Sequence, residues 1–162
     1  IRFCDWSSDV CSSDLSGCRI VLPTDAVVAK AFEPNAPHSV HSVSDVPPDS
    51  MILDIGPQSI ADFGARIRSA KTLLWNGPVG AFETPPFGAG TFQLAKLAAA
   101  RTREGELVSV AGGGDTVAAL NTAGVTESFT YVSTAGGAFL EWLEGRELPG
   151  VVALATARAA AH

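Results

Sequence analysis

The stretch Leu107-Val108-Ser109-Val110-Ala111-Gly112-Gly113-Gly114-Asp115-Thr116 joins an apolar run to three glycines and a polar helix start. Its first five residues are apolar or small and predict a buried strand. The glycines allow a tight turn and a close approach of the backbone to a ligand, because they carry no Cβ. Asp115 and Thr116 are residue types that begin helices. The stretch therefore predicts a strand–turn–helix unit.

Such a unit suits nucleotide phosphate. A helix N-terminus offers unpaired N–H groups and a partial positive charge. Asp115 could cap the helix or hold a divalent cation that bridges phosphates. The pattern is also common at ordinary helix starts, and it matches neither frequent motif. Val117 stands where a dinucleotide fingerprint needs Gly or Ala, and the Gly-Lys-Ser/Thr of a P-loop is absent.

Strand and helix patterns alternate along the rest of the chain. Apolar runs predict strands, and Ser59 is expected to be the N-cap of the helix after the run at 51–55. We expect an α/β fold with a doubly wound, mostly parallel Rossmann-like sheet covered on both faces. The predicted strands are 26–31, 40–43, 51–55, 72–75, 107–111 and 129–132, with a further apolar run at 19–22, and the predicted helices start at 59 or span 91–102, 116–120 and 136–143.

Glycines and small polar residues come directly after four of these strands in succession. The four segments are Gly56-Pro57-Gln58-Ser59, Asn76-Gly77-Pro78-Val79-Gly80-Ala81-Phe82-Glu83, Gly112-Gly113-Gly114-Asp115-Thr116 and Ser133-Thr134-Ala135-Gly136-Gly137-Ala138. Ligands of open α/β sheets bind outside the carboxyl ends of the strands. We therefore expect all four segments on one rim of one sheet, forming a binding crevice.

The composition argues against two classes of function, nucleic-acid binding and membrane spanning. Hydrophobic residues make up 46% of the 162 residues and charged residues 17%, which is typical of a packed globular chain. Lys and Arg total 11 against 17 acids, so phosphate-neutralising nucleic-acid binding is not expected. No apolar run reaches the ~18 residues that cross a bilayer, and no secretory signal is visible, so a cytoplasmic location is expected.

Residues 1–15 differ in composition from the rest of the chain. Ser and Asp dominate them, and Ser7-Ser8-Asp9-Val10 is nearly repeated by Ser12-Ser13-Asp14-Leu15. A segment of this composition buries little apolar area. We expect a foreign or disordered leader over 1–15 and the functional chain over 16–162.

Five motifs taken together resemble the phosphoglycerate kinase family. They are Asp54-x-Gly56-Pro57, Trp75-Asn76-Gly77-Pro78, Gly80-Ala81-Phe82-Glu83, Gly112-Gly113-Gly114-Asp115-Thr116 and Ser133-Thr134-Ala135-Gly136-Gly137-Ala138. Each is modest alone, but their order and spacing match the family over about residues 17–156. The resemblance implies a bacterial enzyme of glycolysis, and a chain corresponding to the later part of its nucleotide-binding domain.

The resemblance also implies an activity and roles for single residues. The family transfers a phosphoryl group reversibly between 1,3-bisphosphoglycerate and Mg·ADP, giving 3-phosphoglycerate and Mg·ATP. Glu83 would bind the ribose, and Asp115 would hold Mg²⁺. Asn76, Pro78 and Ala81 would line the adenosine side, Gly112, Gly113, Gly114 and Thr116 would meet the phosphates, and the N–H groups of Gly136 and Gly137 would stabilise the transferring phosphoryl group.

Departures from the family pattern leave alternatives open. Gln58 stands where many family members carry Lys or Arg, and Ala135 replaces a common Gly. The glycerate site and catalytic arginine of the family lie upstream, in a domain that would act in cis, so no kinase activity is expected of this chain alone. A monomer is expected. The alternatives are a non-catalytic ADP/ATP-binding module, a poorly folding truncation and, at the level of the fold, a nicotinamide dehydrogenase.

Overall fold

The computed structural model describes residues 19–135, 138, 145–149 and 152. Six strands and three α-helices lie in the described part of the chain. The expected leader over 1–15, the helix expected over 136–143 except for residue 138, and the catalytic candidates Gly136 and Gly137 lie outside the described residues.

The first half of the described chain forms an antiparallel sheet. Strand β1 (Asp25–Ala29) pairs on one side with β2 (His38–Ser42) and on the other with β3 (Met51–Ile55), and both pairings are antiparallel. The register with β3 shifts between Val27 and Val28, as in a β-bulge. The apolar run predicted at 19–22 forms no strand.

The second half forms a parallel sheet with helices, which confirms the α/β class. Strand β5 (Val108–Gly112) lies between β4 (Thr72–Asn76) and β6 (Tyr131–Ser133). Helix α1 (Pro57–Ser69) precedes β4, α2 (Ala89–Arg103) joins β4 to β5, and α3 (Gly114–Ala123) with a short 3-10 turn (Thr126–Ser128) joins β5 to β6.

The two sheets correct the expectation of a single binding rim. Strand β3, which Gly56 follows, belongs to the antiparallel sheet. The strands that end at Asn76 and Gly112 are β4 and β5, which pair in the parallel sheet. A short apolar run suits either kind of sheet, because the run itself does not specify the direction of its partners.

The main core lies between one face of the parallel sheet and the helices. Trp75 of β4 is buried against Phe129, with the two rings edge to face at 6.4 Å, and its Nε1 donates to the carbonyl oxygen of Gly77 at 2.7 Å. The opposite face of the same sheet carries Leu74, Val108 and Tyr131, which are each about half exposed. The sequence predicted cover on both faces, and the described residues bury only one.

Candidate nucleotide site

The ends of β4 and β5 bring two of the predicted loops together. Asn76 and Gly112 are register partners, so the residues after them leave the sheet side by side. The backbone N–H of Gly77 donates to Oγ1 of Thr116 at 2.7 Å. A Cβ at Gly113 would lie 3.4 Å from Oδ1 of Asn76, which shows how closely this glycine passes that side chain. Asn76, the three glycines and Thr116 thus lie together at the carboxyl ends of β4 and β5.

Helix α3, which begins at the end of this turn, is not capped by Asp115. Gly113 is its N-cap residue, with φ of 101°, and no side chain caps the helix. Asp115 lies in the first turn, and its side chain is exposed. Of the two hypotheses for Asp115, the structure therefore excludes the cap. It leaves an exposed carboxylate beside the positive end of a helix, where a cation and phosphates can share it.

A cavity of about 190 Å³ lies between Asp115 and the loop after β4. Its lining includes four of the predicted site residues, namely Pro78, Ala81, Glu83 and Asp115. The two predicted carboxylates come from segments more than 30 positions apart in sequence, yet they border the same space. Gly80, Phe82 and Phe32 complete the lining.

A second, larger cavity of about 630 Å³ adjoins the first, since Pro78, Gly80 and Ala81 line both. Most of its remaining walls are apolar and come from the antiparallel sheet, including Leu53. Its size is in the range of small-molecule sites, about 300–1,000 Å³, and an apolar lining suits the flat faces of a base. The larger cavity is lined mostly by apolar residues, with the carboxylates of Asp25 and Asp54 among them, and the smaller one carries Glu83 and Asp115.

Phe32 and Leu53 line these cavities, but the sequence analysis did not predict either of them as a site residue. Phe32 is 58% exposed in the loop between β1 and β2, although a large aromatic side chain is more often buried. Leu53 stands inside an apolar strand and resembles any core residue. A signal existed for Leu53 only in its place next to the Asp54-x-Gly56-Pro57 motif, and none marked Phe32.

The helix start after β3 is closed by a distant carboxylate, which corrects the role expected of Ser59. The N-cap of α1 is Gly56, with Pro57 at the first helical turn, and Ser59 is buried inside the helix. Asp25 of β1 accepts hydrogen bonds from the backbone N–H of Gln58 at 2.9 Å and of Ser59 at 2.8 Å. Because Asp25 already satisfies these donors, this N-terminus is not available to a phosphate.

The pKa of Asp25 reflects the same contacts. Burial alone acts to raise it, but the Ser59 hydroxyl at 2.6 Å and the two backbone N–H groups together lower it below the usual 3.8. The carboxylate is therefore ionised at neutral pH. Both of its oxygens accept hydrogen bonds from the start of α1.

The described residues contain neither a preformed metal cluster nor a membrane-spanning helix. No group of three or more His, Cys, Asp or Glu side chains is arranged to hold a metal ion within the ranges that the structure covers. Among those same residues, no helix is both long and apolar enough to cross a bilayer.

Comparison with known proteins agrees with the motif set. The family model "Phosphoglycerate kinase" matches residues 7–146. A phosphoglycerate kinase of Methylobacterium radiotolerans is 65% identical over 143 residues, and one of Rhodopseudomonas palustris is 61% identical over 142. Each alignment covers 88% of this chain and 36% of the relative. The chain thus spans about a third of the length of the curated relatives that it matches.

Solved structures give the same result. The phosphoglycerate kinase of Coxiella burnetii superposes with a TM-score of 0.79 at 37% identity, over 86% of this chain and 35% of that one. The phosphoglycerate kinase of Pyrococcus horikoshii OT3 superposes with a TM-score of 0.71 at 27% identity, over 92% and 35%. With the family model matching most of the chain and with these identities, the chain belongs to the phosphoglycerate kinase family.

Proposed function

We propose that this chain binds Mg·ADP or Mg·ATP across the two adjoining cavities. One observation carries the proposal: Pro78, Ala81, Glu83 and Asp115 line a single cavity beside the N-terminus of α3. An apolar wall, an acceptor for a diol and a carboxylate near helix N–H groups are the three features that a magnesium nucleotide needs.

The residues divide the nucleotide between them. Leu53, Pro78 and Ala81 supply apolar surface for the base, and Glu83, an acceptor-only carboxylate, takes the two ribose hydroxyls. Gly113 lets the backbone approach the phosphates, and the first N–H groups of α3 point toward them. Thr116 is buried and already accepts from Gly77, so only its hydroxyl proton remains for a phosphate.

The site suits Mg²⁺ brought in by the nucleotide rather than held by the protein alone. Mg²⁺ is commonly bound by one or two carboxylates together with substrate phosphates and waters. Asp115 is exposed and makes no helix cap, so it is free to serve as that carboxylate. The ion would neutralise phosphate charge, and the rest of the work falls to the chain's own N–H groups and side chains.

In the whole family protein, we propose that this site serves a glycolytic phosphotransferase with a carboxyl group as acceptor. The phosphoryl group would pass between 1,3-bisphosphoglycerate and Mg·ADP, giving 3-phosphoglycerate and Mg·ATP. Such transfers depend on positioning and charge stabilisation, and the N–H groups of Gly136 and Gly137 are proposed to supply part of it.

This chain alone is proposed to bind without turning over. It spans 36% of its relatives' length, and the resemblance places the glycerate site in the part that it does not span. We expect a purified sample to give no coupled formation of ATP. Turnover above a blank would contradict this proposal while supporting the family activity.

We also propose that residues 16–162 are the part that belongs to the nucleotide-binding domain. A variant that begins at residue 16 should unfold at the same temperature as the full chain and bind nucleotide equally well. A loss of stability on removing 1–15 would show that the leader packs on the domain. The same samples should run as monomers in size-exclusion chromatography.

Calorimetric titration with ADP, with and without Mg²⁺, tests the proposed site. Asp115→Asn should remove the gain in affinity that Mg²⁺ gives, because only the ion links this side chain to the nucleotide. Glu83→Gln should weaken ADP and adenosine alike, with or without Mg²⁺. Asp62→Asn is the control, since Asp62 is an exposed partner of Arg66 on α1.

The outcomes separate the alternatives. Saturable binding that responds to both site variants supports the proposal. Binding that neither variant changes would place the nucleotide elsewhere. No binding by a chain that circular dichroism shows to be folded would contradict the proposal, and an unfolded sample would favour the alternative of a poorly folding truncation.

A further inference from the structure

Asp54 is a buried carboxylate at the carboxyl end of β3. It is 2% exposed and lies next to the last residue of that strand. Its Oδ2 accepts from the backbone N–H of Gly90 at 2.9 Å, and its Oδ1 accepts from the N–H of Ile55 at 2.8 Å. Burial raises the pKa of Asp54, against the hydrogen bonds from Gly90, Ile55 and Ala89. Keeping this carboxyl group buried therefore costs desolvation free energy.

Its hydrogen bonds place it at the start of α2. The helix begins at Ala89, and its N-cap residue Gly88 has no side chain to satisfy the first N–H groups. Asp54 reaches these donors from a strand 36 positions away. A negative charge at this end of a helix is also favoured by the helix dipole.

The nucleotide-site loop rests on the same carboxyl group. A Cβ at Gly80 would lie only 2.3 Å from Oδ1 of Asp54, and a Cβ at Gly90 only 2.6 Å from it. Neither position has room for a side chain unless something shifts. The next residue, Ala81, donates its N–H to the carbonyl oxygen of Leu53 at 2.8 Å. The loop is thus held against the end of β3 at two adjacent residues.

We propose that Asp54 is a positioning residue, which holds the start of α2 and the Gly80–Glu83 loop against each other. In this way it sets the wall that presents Pro78, Ala81 and Glu83 to the nucleotide. The inference rests on the proposed function, because it assigns a purpose to a wall of that site. It gives Asp54 no contact with the transferred group.

The isosteric change Asp54→Asn tests the proposal, because it keeps the shape and replaces one acceptor oxygen by a donor. That donor must then face the N–H of Gly90 or of Ile55. We expect faster amide hydrogen exchange in the segment 79–92. The affinities for adenosine and for Mg·ADP should fall by the same factor, because both ligands use the wall that Asp54 positions.

The ratio of the two affinities distinguishes a displaced wall from a disturbed phosphate site, and faster exchange confined to 79–92 distinguishes a displaced wall from general destabilisation. The gain in affinity from Mg²⁺ and the phosphates arises at Asp115, Thr116 and the N-terminus of α3, so it should stay the same in Asp54→Asn. Asp25→Asn is the matched control, since Asp25 is also buried and also closes a helix start, but its hydrogen bonds go to Gln58 and Ser59. That control should speed exchange near α1 and leave exchange over 79–92 at the rate of the parent chain.

Unchanged exchange over 79–92 in Asp54→Asn would overturn the proposal. So would a loss of affinity without a change in exchange, because Asp54, which borders the larger cavity, would then contact the ligand directly. If the parent chain binds no nucleotide, the proposed function fails, and the exchange measurement still decides whether Asp54 holds the loop.

A second variant covers the case in which Asp54→Asn does not fold. Gly80→Ala keeps the bond from Asp54 to Gly90 but forces the loop away from the carboxyl group, since the new Cβ would also lie 2.5 Å from the carbonyl oxygen of Phe87. It should weaken adenosine as strongly as Mg·ADP. The proposal is contradicted if Gly80→Ala binds adenosine as tightly as the parent chain. If the parent chain binds no nucleotide, the proposal is contradicted if the amides of 79–83 exchange at the same rate in both proteins.

Discussion

The bond between Asp25 and α1 gives a prediction whose size and pH dependence both come from the structure. Asp25 is 5% exposed, and it accepts from the N–H groups of Gln58 and Ser59 and from the Ser59 hydroxyl. Asp25→Asn keeps the shape but puts a donor where one of these N–H groups needs an acceptor. We expect the variant to fold and to be less stable.

The expected loss is about 2–4 kcal/mol in the free energy of unfolding at pH 7. A hydrogen bond to a charged group contributes about 1.5–3 kcal/mol, and a negative charge at a helix N-terminus adds about 0.3–1 kcal/mol. At about 2–4 °C per kcal/mol for a chain of this size, the melting temperature should fall by about 4–16 °C.

The pH dependence gives the loss a distinct signature. The pKa of Asp25 is lowered in the folded chain, so its contribution is present above the usual value of 3.8 and is lost as pH falls through the folded value. The difference between the parent chain and Asp25→Asn should therefore be constant from pH 7 to about 5 and shrink below 3.8. Asp62→Asn on the exposed face of α1 should show no such change.

Urea unfolding of the three proteins at a series of pH values measures this directly. The reasoning is refuted if Asp25→Asn is within about 0.5 kcal/mol of the parent chain at pH 7, which is the range of ordinary surface substitutions. It is also refuted if a loss of the expected size stays the same at pH 3, because the ionised form would then not be the source of the stability.

Three further predictions concern the site. Thr116→Val should cost about 1–2 kcal/mol and speed exchange of the half-buried Gly77 amide, whereas Thr116→Ser should keep that amide protected; equal exchange in both variants would contradict the contact. Gly113→Ala should cost about 1–3 kcal/mol in a urea titration, since its φ of 101° and ψ of 143° suit glycine almost alone, and it should weaken ADP; a neutral result would show that the turn adapts. Phe32→Ala should lower nucleotide affinity in calorimetry while stability stays within about 0.5 kcal/mol, because its side chain is mostly exposed; unchanged affinity would remove Phe32 from the site.

Much of the secondary structure could be predicted, because it depends on local pattern. The strand predicted at 72–75 is observed as Thr72–Asn76, and the helix predicted at 91–102 as Ala89–Arg103. The main error concerns the strands near the start. Their short apolar runs fix an extended backbone but not a partner, so three strands expected in a parallel sheet pair as an antiparallel one.

The site was predictable only where it lies at strand ends. Asn76 and Gly112 are the last residues of two paired strands, and parallel strands necessarily place such ends together. Phe32 and Leu53 come from the antiparallel sheet and its loop, which meet the site only through packing. Nothing near Phe32 in the sequence marks it as part of the site, and Leu53 is marked only by the Asp54-x-Gly56-Pro57 motif that follows it.

By itself the sequence determined the strand–glycine–helix unit at 107–116, the order of the elements and the set of motifs that mark the family. These depend on φ preferences, on side-chain period and on identity, all of which are local. The tertiary structure alone decided that Asp115 is not a cap, that Asp25 rather than Ser59 closes α1, and that Asp54 lies against the Gly80–Glu83 loop. In the first case the carboxylate makes no cap hydrogen bond, and in the other two a carboxylate accepts hydrogen bonds from backbone N–H groups. The partners lie about 35 positions apart, so only the packing of β1 and β3 against the helices could choose them.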